Sequence, residues 1–185
     1  SRIDALQQRL RSQWIQRASS LLAVSAATAE DLEGLGGTAA GCVSWCHPAL
    51  SPPSRPLSRA LSLPEPFVLL PGTSGLGTYK NPELLATALD HPQLKQLHLL
   101  ISGLDAQRHG EALAQRFPHL QGRWQAIGCS DAELDHLYRR ALAVVMPSRI
   151  EGFGLPAIEA LRAGGRVLIA DSRGLREAGG NAALR

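Results

Sequence analysis

Two stretches of this chain combine glycines with ionisable side chains at spacings that could do chemistry. The first, Gly72-Thr73-Ser74-Gly75-Leu76-Gly77-Thr78-Tyr79-Lys80, follows the apolar run FVLLP at 67–71. Glycines let a backbone come close to a ligand and Lys80 adds a cation, which suits a phosphate; a plain structural turn accounts for the same residues equally well. It is no P-loop, since the Gly-Lys-Ser/Thr ending is missing, and the dinucleotide fingerprint has a different spacing. The second stretch, Ser148-Arg149-Ile150-Glu151-Gly152-Phe153-Gly154-Leu155-Pro156, follows ALAVVMP at 141–147. Gly152 and Gly154 leave the opening amides of a predicted helix unencumbered, and the positive end of the helix dipole there favours an anion. A carboxylate in that mouth, Glu151, is unfavourable unless it accepts hydrogen bonds from hydroxyl groups or stabilises positive charge developing in a reaction. Glu159 falls about one turn into the helix from Pro156, facing the same cleft edge. Two carboxylates with free amides point to a ligand bearing both hydroxyls and phosphates, as a sugar nucleotide does.

Both stretches sit where a parallel sheet would need them. Short apolar runs at 67–71, 97–101, 124–128, 141–147 and 167–170 alternate with helix-like segments from residue 61 onward. Continuous apolar runs indicate strands buried on both faces, and alternation with helices indicates a Rossmann-like, doubly wound α/β sheet. In such sheets ligands settle at the carboxyl ends of the strands. The caps agree: Asn81-Pro82 supplies an N-cap followed by proline, Ser130 and Glu133 have capping-box spacing, and Pro156 opens a helix that stops at Gly164-Gly165.

The first 60 residues read differently. Ile3, Leu6, Leu10 and Trp14 recur at three- and four-residue steps over 2–18, predicting an amphipathic helix packed on its own sheet, or held at an anionic membrane surface. Short strands are expected at Leu21 to Val24 and Gly41 to Trp45, around a brief helix over TAEDLEGL that Thr28 would cap and Gly34, Gly36 and Gly37 would end. The Pro- and Ser-rich segment at 47–66 is the best linker.

Composition bounds the rest. The 185 residues are 44% hydrophobic and 19% charged, which fits a folded protein, and no apolar run approaches the roughly 20 residues of a membrane span. Residues 1–17 carry four arginines and one aspartate, so the whole net charge of +3 belongs there and the body is balanced. No basic stripe with interleaved aromatics appears, which excludes a nucleic-acid reading. Three cysteines, Cys42, Cys46 and Cys129, cannot all pair, which favours a reducing compartment and hence the cytosol. Cys42, Cys46 and His47 lack a fourth zinc ligand, and small buried thiols explain them better. A hydrolase built on Glu151 and Glu159 is a rival that needs the two carboxyls facing across a sugar bond.

The run PSRIEGFGLPAIEALRAGGRVLIADSRGLREAGGNAAL resembles the donor-site signature of the retaining family-4 glycosyltransferases of GT-B fold, a Glu, seven residues and a second Glu, here Glu151 and Glu159. The resemblance extends back through the turn ending Tyr79-Lys80-Asn81 to RASSLLAVSAATAEDL. It implies the C-terminal half of a GT-B enzyme truncated at both ends: 1–60 the tail of the N-terminal acceptor domain plus linker, 61–185 an incomplete nucleotide-sugar-binding domain. It implies a hexosyltransferase of polysaccharide biosynthesis. Glu151 would act at the anomeric carbon of the donor sugar and Glu159 would bind the ribose hydroxyls. The amides of Phe153, Gly154 and Leu155, after Gly152, would hold sugar hydroxyls or diphosphate, Gly72 would belong to the phosphate turn, and Lys80 would neutralise the leaving phosphate. Lys80 is one of only two lysines against seventeen arginines. The donor would be a GDP- or UDP-sugar, with a slight lean to GDP-mannose, the acceptor a glycan or lipid-linked group at the inner face of a membrane, and no metal or cofactor would be needed. Family members often carry an arginine in the glycine turn where Thr73, Ser74 and Tyr79 stand here; Arg149 is the candidate substitute, a surface role its alternative. The alternative for the whole chain is a non-catalytic nucleotide-sugar-binding or interaction module.

Overall fold

The computed structural model describes residues 2–35, 43–50, 52, 60–72 and 75–185, with residues 2–8 and 11 by their backbone alone. Two compact units divide it, 1–49 and 50–185.

The first unit runs α1 (Arg2–Arg17), β1 (Leu21–Ala23), α2 (Ala26–Gly34) and β2 (Val43–Trp45), with β1 and β2 parallel in the register Leu21 to Val43. Ser25, not Thr28, caps α2: its side chain accepts from the Thr28 amide at 3.0 Å. The helix therefore begins earlier than TAEDLEGL predicts. It ends at Gly34, and Gly36 and Gly37 lie outside the described residues. The expectation that the α1 stripe packs on a sheet fails at its described positions, because Leu10 and Trp14 are 44% and 77% exposed. Ile3 and Leu6 are described by their backbone alone. Cys46 is exposed rather than a small buried thiol, and Cys42 lies outside the described residues.

In the second unit the five apolar runs become β3 (Phe67–Pro71), β4 (His98–Ser102), β5 (Trp124–Ile127), β6 (Ala143–Met146) and β7 (Val167–Ile169). All neighbours are parallel, in the order β5-β4-β3-β6-β7, and Leu184 bridges to Leu168 at the β7 edge. Between them lie α3 (Pro82–Ala88), α4 (Ala106–Arg116), α5 (Asp131–Arg140) and α6 (Leu155–Arg162), and α7 (Arg173–Gly179) follows β7. Strand side chains alternate between two faces. Phe67 and Leu69 of β3, with Val144 and Met146 of β6, join Leu137, Tyr138, Ala157, Ala160 and Leu175 from α5, α6 and α7 in one core. Val68, Leu70 and Val145 join Leu85, Ala86, Leu89 and Leu113 on the opposite face, with α3 and α4. A sheet covered on both faces is the arrangement that continuous apolar strands require.

The helix ends follow local rules with one exception. Ser130 and Glu133 close a capping box on α5. Past α6, Gly164 donates to the Leu161 carbonyl and Gly165 to that of Ala160, the paired bonds of a Schellman stop. Asn81 stands at the N-cap of α3 in the left-handed conformation, φ 52, but its side chain makes no cap bond. It is used elsewhere.

Candidate functional site

Chain order reverses between β3 and β6: β4 and β5 continue on one side and β7 on the other. A doubly wound sheet opens a crevice at that point, beyond the carboxyl ends of its strands. The glycine turn leaves β3 there and the Ser148–Pro156 segment leaves β6 there. Asn81 ties the two together. Its Nδ2 donates to the Pro147 carbonyl at 3.2 Å, its Oδ1 accepts from Arg149 Nη2 at 3.1 Å, and the Arg149 amide donates to the Tyr79 carbonyl at 2.8 Å. These bonds occupy the side chain that would otherwise cap α3, and asparagine is among the few residues that accept a left-handed backbone readily.

The juncture brings Lys80 and Glu151 together: Nζ donates to Oε1 at 2.7 Å, with the side chains 20% and 11% exposed. Lys80 Nζ also lies 5.4 Å from the centre of the Tyr79 ring. An ammonium carries three donors, so one on Glu151 leaves two for another anion. Beside this pair the backbone is clamped by α7. A Cβ on Gly174 would collide with the Glu151 carbonyl, and one on Gly154, φ +107, would sit 2.7 Å from Leu175 Cδ2. Gly154 is the N-cap of α6 and has no side chain to occupy its first-turn amides. Gly152 and Phe153 each interact within the chain, and the Phe153 side chain is buried.

Next to α6 a cleft of about 510 Å³ opens over the ends of β3, β4 and β5, lined by Gly72, Ser102, Gly128, Cys129, Tyr138 and Glu159 among others. Glu159 reaches it from the first turns of α6, where Oε2 accepts from the Tyr138 hydroxyl at 3.1 Å. Burial first, and the Glu159 carboxylate second, push the Tyr138 phenol far above its ordinary value, so it stays protonated as a donor. Burial, with Glu133 and Asp131 nearby, also raises the Cys129 thiol.

Of the expected site residues, the structure therefore brings Lys80 and Glu151 into contact, sets Gly72 and Glu159 on the wall of the cleft and folds Arg149 onto Asn81. Gly72 is not free, since its amide donates to the Ser102 carbonyl at 2.9 Å. Leu155 is partly exposed at the start of α6. Thr73 and Ser74 lie outside the described residues. Sequence reasoning missed Tyr138 and Asn81. Each had a signal, Tyr138 as an aromatic on the inward face of α5 and Asn81 as a polar residue between the lysine and a proline, but neither signal names a partner. Among the described residues no group of three or more His, Cys, Asp or Glu could hold a metal ion, and no helix is long and apolar enough to cross a membrane.

Comparison with known proteins agrees on the family. The family described as glycosyl transferases group 1 matches residues 59–183. The D-inositol 3-phosphate glycosyltransferase 1 of Catenulispora acidiphila is 31% identical over 182 residues, covering 89% of this chain and 44% of that protein. Among solved structures, the sucrose-phosphate synthase of Thermosynechococcus elongatus superposes with a TM-score of 0.68 at 26% identity, over 91% of this chain and 44% of that one. A TarM variant of S. aureus, crystallised with fondaparinux, alpha-GlcNAc-glycerol and UDP, superposes with a TM-score of 0.63 at 14% identity, over 90% of this chain and 32% of that one. The last likeness is one of fold. The chain spans less than half the length of each of these relatives. Its parallel sheet is part of a GT-B fold, and the chain belongs to the glycosyl transferases group 1 family.

Proposed function

We propose that this chain is the donor-binding half of a retaining, family-4-like glycosyltransferase that moves a hexose from a nucleoside diphosphate to an acceptor. The observation that carries the reading is the Lys80–Glu151 ion pair at the sheet's switch point, on the segment that leads into α6, whose Glu159 edges a cleft. In this reading the nucleoside lies in the cleft with its ribose hydroxyls on Glu159, and the diphosphate lies across the opening turn of α6, Gly154 and Leu155, within reach of Lys80. Transfer breaks the bond between the anomeric carbon and the diphosphate oxygen and forms one to the acceptor hydroxyl, whose proton leaves with the diphosphate. Glu151 stabilises the positive charge on the sugar during that exchange, and Lys80 the negative charge on the departing phosphate. A lysine and a helix dipole make a metal unnecessary.

Residues 1–60 form the tail of the acceptor domain plus linker, and residues 61–185 the donor domain. The donor is a UDP- or GDP-hexose, mannose being one candidate. The acceptor is a glycan or a lipid-linked group, met on the cytosolic side, and the product belongs to polysaccharide biosynthesis. UDP bound to TarM and to the pneumococcal GtfA supports a nucleotide in this fold.

A thermal-shift panel of UDP, GDP and ADP with their sugars tests the reading. At least one nucleotide is expected to raise the melting temperature of the wild-type chain, and Lys80→Ala and Glu159→Ala to abolish the rise. Unchanged melting in every nucleotide overturns it.

A further inference from the structure

Tyr138 has no part in the roles given so far, yet its hydroxyl ends at the cleft. Its ring belongs to the core beneath β3 and β6, and the residue is only 1% exposed. A buried hydroxyl without a partner is destabilising, and the partner here is a single carboxylate oxygen, Glu159 Oε2. The two residues lie on different helices and line the same cleft. Their separation is fixed by a second link, because Arg162 of α6 donates to Asp135 of α5 at 2.5 Å. A glutamate side chain at a cleft edge has three rotatable torsions and, left alone, many orientations. A donor anchored in the core holds one of its oxygens and leaves the lone pairs of the other to the cleft.

The geometry points to Tyr138 as a positioning residue that presents the Glu159 carboxylate to the ribose hydroxyls of a bound nucleotide. The assignment rests on the nucleotide-binding reading above and adds a residue to it. Burial keeps the phenol protonated, so the positioning bond persists across the working pH range.

The experiment measures dissociation constants of UDP, GDP and their 2′-deoxy counterparts for the full chain and for Tyr138→Phe, which keeps the ring and removes only the hydroxyl. The wild type is expected to bind at least one ribonucleotide and to prefer it over the deoxy form. Tyr138→Phe is expected to weaken that ribonucleotide about five- to tenfold, a single hydrogen bond's worth, with little change for the deoxy form, so the preference shrinks. In a Glu159→Gln background the same substitution is expected to add less than a twofold effect, as a residue acting through Glu159 must. An unchanged ribose preference in Tyr138→Phe, or an effect undiminished in the Glu159→Gln background, overturns the assignment while leaving nucleotide binding intact. A wild type that binds none of the four nucleotides overturns the nucleotide reading and this assignment together. Should the phenylalanine variant fail to fold, 3,5-difluorotyrosine at position 138 keeps ring and hydroxyl but acidifies the phenol. Burial keeps that phenol protonated at neutral pH, where the more acidic hydroxyl is a stronger donor to Glu159, so the ribose preference should shift from the wild-type value, and an unshifted preference overturns the assignment.

Discussion

At the carboxyl edge of the sheet Lys80 and Glu151 form an ion pair that is largely withdrawn from solvent; at the amino edge Arg140 and Glu65 form one whose side chains are 51% and 47% exposed. Each edge also has a cleft, about 510 Å³ at the first and about 350 Å³ at the second, where Arg166 joins Glu65, Phe67, Arg140 and Leu142. Charge and volume alone therefore do not tell the two edges apart. The difference lies in what surrounds the charges. At the carboxyl edge an uncapped helix start, a clamped loop and an anchored glutamate converge, whereas the amino edge receives helix carboxyl ends, whose dipoles favour cations. A cation already stabilised by carbonyls is a poor anion trap. Strand direction thus assigns the two pairs different work.

The largest expected break in that comparison is at Lys80. Lys80→Ala should weaken nucleoside diphosphate binding about thirtyfold, or about 2 kcal/mol for a lost charge-assisted bond, measured by titration calorimetry. Lys80→Arg should not restore it, because a flat guanidinium cannot take the place of a compact ammonium beside Glu151. Glu151→Gln should act in the opposite direction on free nucleotide. With the lysine released from its partner, nucleoside diphosphate should bind several-fold more tightly and with a steeper loss in salt, even as sugar transfer disappears. Equal losses from Lys80→Ala and Arg140→Ala would erase the distinction between the edges.

A smaller effect sharpens it. Asn81→Gly keeps a residue suited to φ 52 but deletes the bonds to Pro147 and Arg149. Nucleotide affinity should fall about fivefold, close to 1 kcal/mol, with the melting temperature nearly unchanged. A fall in melting temperature with unaltered affinity would make Asn81 a folding residue alone. The cleft can be probed through Cys129, which lines it with a raised thiol pKa. Only thiolate is alkylated, so iodoacetamide should modify it slowly at pH 7 and faster as pH climbs above the ordinary cysteine range. Saturating nucleotide should slow that reaction several-fold, as followed by mass spectrometry of the Cys129 peptide.

Much of this arrangement is legible in the chain itself. Strands such as Phe67–Pro71 are buried on both faces, so they must be apolar throughout, and the run is visible without any neighbour. Ser130 and Glu133 are three residues apart and cap each other, so their role is local. The Glu151 and Glu159 spacing survives for the same reason, being set by one turn and one helix start. What is not legible depends on pairs far apart in sequence. Tyr138 meets Glu159 only because α5 and α6 pack side by side, and Asn81 abandons its cap only because Pro147 and Arg149 come within reach. Ser25 displaces Thr28 as a cap because either side chain could serve, and the backbone chooses. The apolar stripe of α1 predicts burial from periodicity, but a period says which face is apolar and nothing about what meets it.

The smallest expected effect falls on the amino edge. Arg140→Ala removes one member of a well-solvated pair, and stability should change by less than about 1 kcal/mol, measured by denaturant unfolding. Nucleotide affinity should not change. A spectroscopic signal should move nonetheless. His136 is held below the ordinary histidine value by burial first, then by Arg140 and Arg139, while Glu65 pulls the other way. Removing the Arg140 charge relieves a repulsion of the imidazolium and leaves the attraction of Glu65 in place, so the His136 titration should shift upward. An NMR titration of the His136 ring protons reads this directly. An unmoved midpoint would mean that solvent already screens Arg140 completely, and a large loss of stability or of nucleotide binding would mean that the amino edge does more than hold the strands' beginnings together.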